Sequence, residues 1–114
     1  MKTRWLLIAM AVGLSHPGPA LAGASSFAVV NGAGADIERL VIRRVGSSQW
    51  RPLGVTAASG KAAAVAFSDP DCAFVLRATL AGGATVTWNG VNLCDAKLLT
   101  LRRNAAGLAW VDYD

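Results

Sequence analysis

Residues 72–80 read CAFVLRATL, and the alternation in that stretch decides the fold class. Cys72, Phe74, Leu76, Ala78 and Leu80 fall on one side of an extended chain, while Arg77 and Thr79 fall on the other. A period of two is a strand's signature, so this segment predicts a strand with one face in a core. Outward from it, short apolar or alternating segments recur every ten residues or so, with turn-forming residues between them and without a sustained helical period. Ser26–Asn31 (SFAVVN) reads as a first strand, and the following Gly32, Ala33 and Gly34 supply the positive-φ tolerance that a tight reversal needs. Ile37–Val45 (IERLVIRRV) puts Leu40 and Ile42 on one face and Val41 on the other. Trp50–Gly60, with Pro52, Gly54 and Gly60, reads as a long connection that crosses between sheets, and Lys61–Phe67 (KAAAVAF) as a strand.

Beyond the central stretch, Ala84–Trp88 leads into Asn89 and Gly90, a two-residue hairpin signal, so Val91–Leu93 is expected to pair back. Lys97–Arg103 and Leu108–Tyr113 flank a four-residue loop, Asn104–Gly107. Seven or eight strands predict an all-β domain, either a two-layer β-sandwich or a flattened barrel. Trp88 and Trp110 are assigned to its core.

The amino terminus has the order of a Sec-type signal peptide: Lys2 and Arg4, an apolar run from Trp5 to Leu14, then His16, Pro17, Gly18 and Pro19. Small residues at Ala20 and Ala22 favour cleavage before Gly23, with Ala20 and Ala24 as alternative sites. The run is far shorter than the roughly 20 apolar residues a membrane span needs. Residues 1–22 are therefore expected to be removed, leaving a domain of residues 23–114 in the periplasm or the medium. Such a compartment lets thiols pair, and Cys72 and Cys94 are the only two cysteines. A disulfide closing a loop of about 22 residues is worth roughly 3 kcal/mol in the chain-entropy model. It is expected to pin opposing layers.

Net charge falls from +4 to about +2 once Lys2 and Arg4 leave, which is not the charge of a nucleic-acid binder. The sole histidine, His16, lies in the leader, so imidazole-based hydrolysis is excluded in its common form and the domain is expected not to be an enzyme.

Three surface features remain. Pairing of the cysteines would draw Asp71 and Asp95 together with Asp69 close by, an oxygen set that suits calcium. Arg44 and Arg102, if they share one outer face, would meet an anionic glycan, lipid headgroup or acidic protein partner. Trp50, beside Arg51 in the irregular segment, is the aromatic placed to anchor a partner.

The order Phe27, Val29, Asn31, Gly34, Ile37, Leu40, Ile42, Trp50, Asp71-Cys72, Leu76-Arg77 and Asn89-Gly-Val-Asn-Leu-Cys94 resembles a group of small exported bacterial β-domain proteins of unknown function. That resemblance implies a fold and a location, and no catalytic set. The reading that follows is an exported interaction module of the cell envelope. Two others are an inhibitor of a secreted or host hydrolase, which a prominent loop at Trp50–Gly60 would favour, and a calcium-binding domain through Asp69, Asp71 and Asp95.

Overall fold

A computed structural model describes residues 23–114; the expected signal peptide and its cleavage site lie outside the described residues, apart from Gly23 and Ala24. The described chain is all β. Its strands are β1 (Ala24–Gly32), β2 (Ile37–Arg44), β3 (Arg51–Pro52), β4 (Ala62–Asp69), β5 (Ala73–Leu80), β6 (Thr85–Asn92), β7 (Leu98–Arg103) and β8 (Ala109–Tyr113). They form two four-stranded sheets packed as a sandwich, one ordered β4-β1-β7-β8 and the other β3-β2-β5-β6. Neighbours are antiparallel except β1 and β7, which run parallel. The chain changes sheet after β1, β3, β4 and β6, so the core forms only when both layers are present.

Each layer contributes its inward parity. Phe27 and Val29 of β1, Leu40 and Ile42 of β2, Phe74, Leu76, Ala78 and Leu80 of β5, and Leu99 and Leu101 of β7 are buried together. Where β1 leaves its sheet, the fully buried Asn31 takes over the hydrogen bonding that the ladder gives up. Its Nδ2 donates to the Ala35 and Ala57 carbonyls at 2.8 and 2.9 Å, and its Oδ1 accepts from Ala33 N. A buried amide satisfied on both ends in this way fixes the turn geometry that Gly34, at φ +87°, permits.

Three expectations are corrected here. Asn89 and Gly90 do not form a hairpin: β6 runs straight through them. Leu76 pairs with Trp88 and Phe74 with Val91, so one extra residue sits on β6, and Gly90 takes φ +62° in a β-bulge. The bulge shifts the parity of the strand, letting Val86 and Trp88 before it and Val91 and Leu93 after it all face the core. The disulfide does form, with Cα atoms 5.0 Å apart, but it does not span opposing layers. Cys72 and Cys94 flank β5 and β6, adjacent strands of one sheet, and tie the crossover β4–β5 to the crossover β6–β7. Trp110 is not core; it is 43% exposed on the outward parity of β8, opposite Arg102.

The Trp50–Gly60 segment does cross between the sheets, yet it does not protrude. Arg51 and Pro52 pair with β2, Leu53 N donates to the Leu40 carbonyl, and Ala57 is buried in an isolated bridge to Ile37. The projecting loop on which the inhibitor reading relied is thus laid along the sheet.

Candidate functional site

The consecutive residues Arg43 and Arg44 point to opposite sides of β2 and meet different chemistry. Arg44 keeps the inward parity of Leu40 and Ile42 at the end of the sandwich, where it reaches β4 of the other sheet. Its Nε lies 3.2 Å from both carboxylate oxygens of Asp69 and 3.2 Å from Asp71. Arg51 adds a bond of 2.9 Å from Nη2, and Asp71 N another of 2.9 Å. The Asp69 side chain is 1% exposed. Burial by itself raises its pKa, but hydrogen bonds from Asp71 N, Arg44 and Arg51 and the charge of Arg44 outweigh that cost and hold the carboxyl below its ordinary value. The same pairing, first through the hydrogen bond from Arg44 to Asp69, raises the Arg44 guanidinium.

This cluster corrects the calcium reading. Two guanidinia occupy the lone pairs that a cation would need on Asp69, and Asp95 lines a separate depression with Asn92, Ala96, Tyr113 and Asp114. Among the described residues no three His, Cys, Asp or Glu side chains gather as a metal requires. Nor do Arg44 and Arg102 share a face. They belong to different sheets, and Arg102 pairs with Asp112 across β7 and β8. Of the expected binding residues, Arg44 and Arg51 come together, but as an inter-sheet clamp on Asp69.

Trp50 lies elsewhere, over the outer face of the sheet β3-β2-β5-β6. That face is built from the outward parities: Arg39, Val41 and Arg43 on β2, Val75, Arg77 and Thr79 on β5, and Thr85 and Thr87 on β6. The Arg77 guanidinium sits 4.4 Å and that of Arg43 5.1 Å from the centroid of the Trp50 ring. Arg43 Nη1 donates to the Ser47 carbonyl, and Arg77 Nε to Thr87 Oγ1 at 3.3 Å. Gly46, Ser47 and Ser48 complete the rim of a shallow depression around these three side chains. Val75, though outward, is only 3% exposed; it pairs directly with Arg43 and stands two residues before Arg77 on β5.

Among the described residues no carboxylate lies within ion-pair distance of Arg39, Arg43 or Arg77; the ion pairs formed there are those of Arg44, Arg51 and Arg102. A guanidinium stacked on an indole keeps its in-plane N–H groups at the edge of the stack, where they can donate to an anion. The arrangement therefore presents fixed cationic donors with hydroxyls from Thr79, Thr85 and Thr87 beside them. Sequence reasoning named Trp50 but missed Arg43 and Arg77 as its companions. The signal was present in parity, since both fall opposite core residues on their strands.

The fold has a solved counterpart. The NMR structure of a protein from Eubacterium rectale matches with a TM-score of 0.56, covering 79% of this chain and 87% of that one at 12% identity. A likeness at that identity concerns the fold alone. No protein-family profile and no curated protein matches the chain. Among the described residues no helix is long and apolar enough to cross a membrane.

Proposed function

We propose that the protein is an exported, non-catalytic binding module whose working surface is the outer face of the sheet β3-β2-β5-β6. The observation that carries this is the pair of guanidinia, Arg43 and Arg77, set against Trp50, with Arg39 further along β2 on the same face, all three without carboxylate partners among the described residues. Charge left unneutralised on a structured face serves association with an anionic surface or ligand better than it serves the fold. Export is supported by the tripartite order of residues 1–22 and by the disulfide, which persists in an oxidising compartment. A non-catalytic role is supported by the lack of any histidine in residues 23–114 and by the engagement of both cysteines in a bond.

Two measurements test this. Expression of the full chain followed by fractionation and intact mass should yield an extracytoplasmic product that begins at Gly23 and carries the disulfide; a full-length product held in the cytosol ends the export part. Capture from an envelope extract should enrich a ligand with the wild-type protein and lose it with the combined variant Arg39→Gln, Arg43→Gln, Arg77→Gln. Equal capture by both would show that this face is not the binding surface.

A further inference from the structure

The outer face of the sheet β3-β2-β5-β6 specifies more than a charge. We infer that its ligand is a linear acidic polysaccharide with one carboxylate per repeating sugar, laid across β2 and β5; this rests on the face being the binding surface. Arg39 and Arg43 are four residues apart on β2, a span of about 13 Å at the rise of a strand. Arg77 pairs in register with Val41, midway between them on the neighbouring strand. The backbone positions of the three arginines therefore form a zigzag row with steps of roughly 7 Å along the strand direction, and Trp50 gathers the Arg43 and Arg77 guanidinia beside one ring. Cations distributed along two strands, two of them beside one indole and the third further along β2, fit a chain that carries several single charges. A lone phosphate would call for donors converging on one point, as at a nest of backbone amides.

The surroundings favour a saccharide over other polyanions. Thr79 and Thr87 are half-buried on this face and Thr85 is exposed, giving hydroxyl donors and acceptors next to the guanidinia for sugar hydroxyls. Of the large exposed apolar residues, Leu108, Trp110 and Tyr113 lie on or beside β8 of the other sheet, and Val45, which continues the parity of Arg43, sits beside Ala73 beyond the Arg43 end of the row; a single valine at the margin is neither a protein hot spot nor a bilayer wedge. Nucleic acid would look for a strongly basic domain and open aromatic platforms, whereas the exported chain carries about +2 and its Trp50 ring has two guanidinia against it. Because the indole holds Arg43 and Arg77 in place, less side-chain freedom is lost when a carboxylate is bound.

The test uses the exported, disulfide-bonded protein and titration calorimetry at low salt. The probes are polygalacturonate, its fully methyl-esterified form, galacturonate monomer, double-stranded DNA and vesicles of anionic phospholipid. Polygalacturonate should bind at least about tenfold tighter than the ester, the monomer, the DNA and the vesicles. The double variant Arg43→Gln, Arg77→Gln should lower that affinity by about tenfold or more, while Arg102→Gln with Arg103→Gln, which removes the same two charges from the other sheet, should leave it within about twofold. Arg43→Lys with Arg77→Lys should fall between, since charge is kept and the planar stacked fork is lost; near-ultraviolet circular dichroism confirms that each variant is folded.

Failure to bind polygalacturonate, or equal binding of the ester, overturns the inference. Tighter binding of DNA or vesicles that disappears in the double variant also overturns it, yet leaves the face as the binding surface. Binding of any probe that is indifferent to the double variant removes both.

Discussion

Arg43 and Arg44 are neighbours in the chain, but they belong to two regions with opposite chemistry. Arg44 joins Arg51, Asp69 and Asp71 at the corner where β4 crosses to β5, beside Cys72 and Cys94. Arg43 joins Arg77 and Trp50 on an outer face where no carboxylate among the described residues reaches it. At the corner, every charge has a partner, and the cluster ties one sheet to the other. On the face, Arg43 and Arg77 are held by an aromatic ring and by hydrogen bonds to the neutral Ser47 carbonyl and Thr87 hydroxyl, which leave their charge unneutralised. The lesson is that a basic residue's parity on its strand, more than its type, separates a guanidinium that holds the layers together from one that can take a ligand.

The comparison breaks if substitutions in the corner spare stability, or if those on the face do not. The largest effect belongs to the disulfide. Replacing Cys72 and Cys94 with serine should lower unfolding free energy in urea by about 3 kcal/mol, and a loss well under 1 kcal/mol would show that the tied crossovers were already held. Next is Asp69→Ala, expected to cost about 2 kcal/mol, less than the roughly 3–5 kcal/mol of breaking a fully buried pair, because Arg44 and Arg51 are half exposed and water can solvate them. A wild-type-like melting curve for that variant would mean the clamp contributes nothing.

Acid sharpens the same point. Asp69 has a folded pKa held below its ordinary value of 3.8, so its contribution is fully present above the unfolded value and is lost as pH falls through the lower, folded one. Stability should decline on acidification below about pH 4 in the wild type, and that part of the decline should vanish in Asp69→Asn. If both proteins follow one curve, the titrating group is another. On the outer face the effects on stability should be smallest: Arg43→Gln and Arg77→Gln each within about 0.5–1 kcal/mol, the scale of one exposed cation–π contact. Losses above about 2 kcal/mol would make these residues part of the fold's own support, and the proposed binding role would lose its basis.

Much of the sandwich could be read without coordinates. The inward positions of β5 and β2 follow from alternation alone, and with two cysteines only one intrachain bond is available. The Lys61–Phe67 strand came out as β4, Ala62–Asp69. Asn89 and Gly90 misled, because the same pair that suits a hairpin also suits a bulge, and local turn chemistry does not tell the two apart. The three-residue step from Trp88 to Val91, both buried, was the clue that the strand continued. Trp110 misled for another reason: on an edge strand one parity is left without a covering layer, and hydrophobicity does not report which strand is at the edge. The binding face was half legible, since Trp50 stood out by its setting whereas Arg77 was visible only as a residue opposite the core.

What the sequence by itself determined is periodic: which residues are strands, which of their sides is apolar, and which two sulfurs can join. Those properties depend on neighbours two residues away, and they survive any arrangement of the strands. What only the tertiary structure decided is pairwise: that β1 lies parallel to β7, that Arg44 finds Asp69 across the layers, that Arg102 finds Asp112 instead, and that Arg43 and Arg77 meet over one indole. A charge at the end of a strand carries no label for its partner, because the attraction acts on whichever opposite charge the packing of the core brings within a few ångströms.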